Sequence, residues 1–205
     1  MIIKESGMTI TADHMADVVK AVQALTGRKV LVGIPAETAD DHSGRDKIGE
    51  EDINNAAIGY LNEWGVPEKN VPARPHLLPG VEAVIPDAVK RFKKAGQEAL
   101  DGNIRAITTQ MDAVGLKAVS SVRSVIQSHI PPVLAPRTIA GRIAHQIKGD
   151  SNKKRARRAG MTAIGQAFPD VFTPLIETGD YIRHISYVLI SKTGRSVVTP
   201  KGGGK

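Results

Sequence analysis

Through most of the chain's middle, apolar residues recur every three or four positions. They alternate or run together only in short stretches near the two ends. Ile104, Ile107, Met111, Val114, Ala118, Val122 and Val125 form the longest periodic series and predict one helix near 104–128. At 1.5 Å per residue such a helix runs roughly 37 Å, and Pro131-Pro132 stops it. Met15, Val18, Val19, Val22 and Leu25 predict an earlier helix, with Thr11 or Asp13 as its cap and Gly27 as its stop. Ile53, Ala57, Tyr60, Leu61 and Trp64 share a further helical face behind a cap at Asp52, ended by Gly65. Val81, Val84, Ile85, Ala88, Val89, Phe92 and Leu100 keep one phase, with Pro86 near the true start, where its missing N–H costs nothing. Residues 136–148 predict a short helix from Pro136.

Residues 29–35 (KVLVGIP) are β-branched and bounded by glycine and proline, which predicts a strand. A second strand near 185–191, a turn at Lys192-Thr193-Gly194 and a third strand through Val197-Val198 form a hairpin. The resulting expectation is an α+β fold. A small, mostly antiparallel sheet, built from the strand near 29–35 and the hairpin 185–199, is packed by several helices. One domain spans 1–205, with an N-terminal arm (1–10), an acidic loop (36–52), an extended proline arm (66–79) and a disordered tail (200–205). In the proline arm, Pro72 and Pro75 bias their predecessors away from helix, so residues 71–75 are expected to be stretched and stiff.

Composition narrows the chemistry. The chain has no cysteine, which excludes disulfides and thiolate metal sites. Aromatics are 3% of residues, so Ile, Val, Leu and Ala must build the core. No apolar run approaches the roughly 18 residues that span a bilayer, and the N-terminus lacks a signal-peptide apolar region, so no membrane association is expected. The formal charge of +7 is unevenly spread: residues 1–102 hold 12 Lys/Arg against 16 Asp/Glu, and residues 103–205 hold 16 against 5. Such asymmetry suits nucleic-acid contact, or complementary faces meeting in a head-to-tail ring.

Searches for a reactive centre return little. His14, His42, His76, His129, His145 and His184 include no pair at the spacing that sets two imidazoles on one helix face. The acidic cluster Asp40, Asp41, Asp46, Glu50, Glu51 and Asp52 does not follow the order of a calcium loop. Gly202-Gly203-Gly204 precedes no helix that would hold a phosphate. No catalytic residue, metal site or cofactor is expected, and the chain does not read as an enzyme. Lys153, Lys154, Arg155, Arg157 and Arg158 form the best DNA-facing candidate. No aromatic interleaves them, so non-specific phosphate attraction is the most they offer. A non-specific nucleic-acid-binding protein is thus the alternative reading.

Two motifs carry a resemblance. The first is residues 58–82 (IGYLNEWGVPEKNVPARPHLLPGVE), with Trp64-Gly65 and Pro72-Ala73-Arg74-Pro75. The second is residues 173–180 (TPLIETGD), with Leu175 and Thr178-Gly179, running on into Ile182, Ile185 and Tyr187. In this order and separation they resemble the virion-morphogenesis proteins of tailed bacteriophages, the tail-completion or neck group of Mu-like and related long-tailed phages. His76 stands where those proteins usually have an aromatic such as Phe, and residues 150–160 look like an insertion.

The resemblance implies a structural virion protein that completes the tail or joins it to the head at the neck, as a ring of identical copies. It implies neighbouring neck and tail proteins as partners, such as head-completion, adaptor or tail-terminator proteins. It also implies non-specific contact with packaged DNA, and assembly in the bacterial host cytoplasm. Trp64, Gly65, Pro72, Arg74, Pro75, Leu175, Thr178 and Gly179 are the interface or structural motif residues it points to. Arg74, held between prolines, suits pairing with a carboxylate at a protein interface. Thr178-Gly179 suits a turn or cap opening residues 180–184. Both features serve equally well as fold-holding elements.

Overall fold

A computed structural model describes residues 14–35, 54–146 and 172–192, with the short strand segments 4–5, 8–9, 47–48, 51–52 and 196–198. In chain order it contains β1 (Lys4–Glu5), β2 (Met8–Thr9), α1 (Met15–Thr26), β3 (Arg28–Gly33), β4 (Lys47–Ile48) and β5 (Glu51–Asp52). Then come α2 (Asn55–Trp64), a 3-10 turn at Pro67–Lys69, α3 (Leu77–Glu82), α4 (Ile85–Leu100), α5 (Arg105–Gln127) and α6 (Pro136–Gln146). The last elements are α7 (Asp180–His184), β6 (Ser186–Ser191) and β7 (Ser196–Val198). The fold is α+β with a small antiparallel sheet, as the periodicity predicts.

The central sheet has the order β3-β6-β7, and the pairs β1-β2 and β4-β5 stand apart as two-stranded ribbons. Register assigns the faces. Val30 lies opposite Leu189 and Val32 opposite Tyr187, so these four share one side; Leu31 opposite Val188 and Lys29 opposite Ile190 share the other. Leu189 and Tyr187 are buried while Leu31 is 49% exposed. The sheet is therefore covered on one face and open on the other, as antiparallel sheets allow.

The covering element is α5. Ile107, Met111, Val114, Ala118, Val122 and Ile126 lie along its inner face and are buried, so the longest periodic series in the sequence is the spine of the core. Two glycines set how close its neighbours come. A Cβ on Gly80 would lie 2.6 Å from Val122 Cα, so α3 and α5 meet backbone to backbone. A Cβ on Gly115 would lie 2.2 Å from Tyr187 Cδ2, because the Tyr187 ring rests directly on the bare helix. The ring's hydroxyl donates to Asp112 Oδ1 at 3.2 Å. Burial, then the Asp112 charge and this bond, push the phenol up to about 12.

Several expectations need correction. The phase running from Val81 to Leu100 belongs to two helices parted at Ala83-Val84, although the second does start where Pro86 marks it, with that proline in the first turn of α4. The extended stretch 66–79 is shorter than expected: Pro67–Lys69 is a 3-10 turn, and Leu77, Leu78 and Pro79 already belong to α3. Proline is tolerated there because the first-turn N–H has no partner within the helix. The cap of α2 is Asn54, whose Oδ1 accepts the Ala57 N–H at 2.9 Å, rather than Asp52.

Two helices also present the side the pattern would have buried. In α2, Tyr60 and Trp64 are 67% and 64% exposed, while Asn55, Gly59 and Glu63 face inward. In α1, Met15, Val18, Val19 and Val22 are exposed, and Ala21 is the buried contact. The helix docks through Ala21, with Ala24 and Leu25 packed beside it, which leaves the rest of its apolar stripe outside.

Candidate functional site

The first motif folds back on itself. At Gly65 the chain turns with φ +73°, and a Cβ there would lie 2.6 Å from Ala73 N, so both conformation and space require glycine. Beyond it, Val66 and Val71 exchange backbone hydrogen bonds at 2.8 and 3.0 Å, and the Arg74 N–H reaches Asn62 O at 2.7 Å. Through residues 72–76, Pro72, Ala73 and Pro75 are exposed, whereas Arg74 and His76 are buried.

Arg74 does not offer itself to an outside carboxylate. It is buried, and its Nε and Nη2 donate to Pro132 O at 3.2 and 2.9 Å, which ties the motif to the exit of α5. Burial, then the charge of Arg142, hold its guanidinium below the ordinary arginine value. Arg74→Lys is expected to lower stability by about 1–3 kcal/mol, because an ammonium cannot reproduce the planar two-donor contact. The check is the urea midpoint at neutral pH.

His76 and Glu63 build a polar knot inside the fold. Glu63 Oε2 accepts the backbone N–H groups of His76 and Leu77 at 2.8 and 3.0 Å, and Oε1 accepts that of Leu78 at 3.0 Å. A side chain thirteen residues upstream of His76 thus caps α3. Burial alone would raise the Glu63 pKa; the three N–H donors, with the nearby His76, overcome that and hold it below the usual glutamate value.

His76 is fully buried, and its Nδ1 faces Arg74 O at 2.8 Å and Glu63 Oε2 at 3.0 Å. Two acceptors require a proton on Nδ1, so in the neutral ring Nε2 accepts from the Tyr181 hydroxyl. Tyr181 is buried beside Gly59, whose Cβ would lie 2.9 Å from the hydroxyl, and burial followed by the Glu63 charge raises its pKa. The rings of His76 and Tyr181 meet edge to face, with centroids 5.5 Å apart. The chain Glu63–His76–Tyr181 has the residue types of a proton relay, but at zero exposure of the histidine nothing can reach it without unpacking the fold. It is a joint.

The second motif supplies the other half of that joint. Leu175 sits at φ +65°, with its side chain packed against the core, and Gly179 turns at φ +81° into α7, which carries Tyr181. Thr178 Oγ1 accepts the Asp180 N–H at 3.2 Å and donates to Asp180 Oδ2 at 2.7 Å. Arg183 also pairs with Asp180. The Thr178 bond and then Arg183 hold the Asp180 carboxyl below its usual range. Arg142 Nη1 binds Thr173 O at 3.0 Å and Ile176 O at 2.8 Å, and Arg123 Nη2 binds Arg183 O and Ile185 O at 3.2 and 2.9 Å.

The structure therefore joins the first motif to the second through His76 and Tyr181 and to the exit of α5 through Arg74, with Trp64, Pro72 and Pro75 on the surface. Tyr60 and Trp64, four residues apart on α2, form an exposed aromatic pair. Lys153, Lys154, Arg155, Arg157 and Arg158 lie outside the described residues, as do residues 36–46 of the acidic loop and the tail. Among the described residues no group of His, Cys, Asp and Glu is placed to hold a metal ion, and no helix is long and apolar enough to cross a membrane. Sequence reasoning missed Glu63, His76, Tyr181 and Gly59 as a unit. The available signal was a glutamate and a glycine, four apart, on a helix whose other faces are mostly apolar. A scan against protein-family models, a search of curated proteins and a search of solved structures each found no match to the chain.

Proposed function

We propose that the protein is a structural component of a tailed-phage virion, completing the tail or joining it to the head at the neck as a ring of copies, and that it catalyses nothing. The observation that carries this reading is the joint itself. The two motif segments that suggest such a protein, far apart in the chain, interlock through Glu63, His76 and Tyr181. Their buried polar residues are spent on one another, and Trp64, Pro72 and Pro75 of the first motif stand exposed, beside a polar turn at Glu68, Lys69 and Asn70. Buried polar chemistry with exposed aromatic and proline surface suits docking to protein better than turnover of a substrate. Neighbouring neck and tail proteins, and further copies of this chain, are the partners this surface would meet.

The test is electron microscopy of particles made by a phage whose copy of this gene is deleted. Filled heads accumulating apart from tails, or tails with aberrant ends, are the expected result; normal infectious particles would sink the reading. A complementing Trp64→Ala copy should fold normally yet restore few joined particles.

A further inference from the structure

Strand β3 ends the sheet on one side. It pairs with β6 alone, and among the described residues no backbone bond leaves its other edge. An apolar groove of about 590 Å³ runs beside it. Arg28, Lys29, Val30, Leu31 and Val32 all line the groove. Side chains of a strand alternate between faces, so five consecutive residues can touch one groove only along the strand's edge. The far wall is Ile85, Ala88 and Phe92, one face of α4, and the floor is Met111, Val114 and Ala118 of α5.

We propose that this groove takes an extended peptide segment of a partner protein, one with apolar side chains at alternate positions and an acidic residue at the end that meets Arg28 and Lys29. An extended segment can satisfy the outward N–H and C=O groups of β3 while sending every second side chain onto α4 and α5. A helix, about 10 Å across, would leave that edge unpaired. Charge selects the sequence. Arg28 and Lys29 are the charged residues in a lining that is otherwise apolar apart from Thr26. Arg28 bonds the neutral Thr108 hydroxyl at 3.1 Å, and neither cation makes an ion pair with a described carboxylate. A second copy pairing β3 against β3 would bring two more cations and no carboxylate, so a partner segment bearing an acid is the better match. The proposal stands whether or not the virion reading does.

The probes are two short synthetic peptides of alternating Val and Thr, one flanked at both ends by Glu and the other by Lys. Binding is read on the full chain by fluorescence anisotropy, and amide exchange locates it. The Glu-flanked peptide should bind about tenfold more tightly than the Lys-flanked one at low salt, and should protect amides of residues 28–33. Lys29→Glu should erase or reverse that preference. Ala88→Trp, which fills the groove, should abolish binding of both while a circular-dichroism melt shows a folded chain. Equal affinity for the two peptides, no binding by millimolar peptide, or binding indifferent to Ala88→Trp would overturn the proposal. So would a chain that is dimeric until Ala88→Trp makes it monomeric, since the groove would then hold a second copy.

Discussion

Glu63→Ala is expected to remove about 3–5 kcal/mol of stability, enough to threaten folding of a domain whose whole margin is typically 5–15. The carboxylate serves three backbone donors at the start of α3 and faces the Nδ1 of a fully buried histidine. Alanine leaves the N–H groups of His76, Leu77 and Leu78 short of an acceptor, and at fully buried His76 water has little access to replace it. Because that variant can fail to fold, Glu63→Gln supplies the finer measurement. An amide keeps one acceptor oxygen and loses the charge, so an intermediate loss is expected. The pH dependence carries the distinctive sign. A carboxyl held below its ordinary value contributes fully above the unfolded pKa, about 4.3, and that contribution disappears as pH falls through the folded value. Urea midpoints measured from pH 7 down to 3 should therefore fall less steeply for Glu63→Gln than for the native chain. Parallel curves would show that the carboxylate charge is not what holds α3.

Gly115→Ala should also destabilise, by about 1–3 kcal/mol, and the sign is the informative part. On an exposed stretch of helix the same change stabilises by roughly 1 kcal/mol, because alanine surrenders less backbone freedom. Here the new methyl would stand 2.2 to 2.6 Å from three atoms of the Tyr187 ring, which is itself buried and tethered to Asp112. Steric conflict at that distance outweighs propensity. Tyr187→Leu is expected to be harmful alone, yet to lessen the harm of Gly115→Ala when the two are combined. A thermal-melt double-mutant cycle with a coupling of about 1 kcal/mol or more would confirm direct contact. A net gain in melting temperature from Gly115→Ala alone would mean that the ring does not lie on the helix.

These two sites show where sequence reading succeeds and where it stops. The helix Arg105–Gln127 and the strands at 28–33 and 186–191 were legible because burial on one side forces a period, and periods survive in sequence. The inward face of α2 was not legible, since it buries Asn55, Gly59 and Glu63, and a polar face turned inward reads as solvent. The stripe on α1 misled for the converse reason: four apolar residues keep helical spacing while Ala21 makes the buried contact. Charge misled too. Arg74, Arg123 and Arg142 count towards a basic surface in any tally, yet each spends its guanidinium on backbone carbonyls of another segment. Fold class was open to inspection; the joint between the motifs was not, because nothing in spacing alone connects Glu63 with Tyr181.

The pairing of Leu31 with Val188 sets a timetable for synthesis. Ribosomes add about 5–20 residues each second, so β3 waits on the order of ten to thirty seconds for the strand that completes it. Throughout that interval α5 can gather α3 and α4, but the places opposite Val30 and Val32, which Leu189 and Tyr187 come to fill, have no occupant. A nascent chain halted before residue 186 would thus display β3 with both edges open, a species prone to pair with its neighbours on the same message. Expression at lower temperature, or with the C-terminal strand supplied early by circular permutation, should raise the soluble yield for this reason alone.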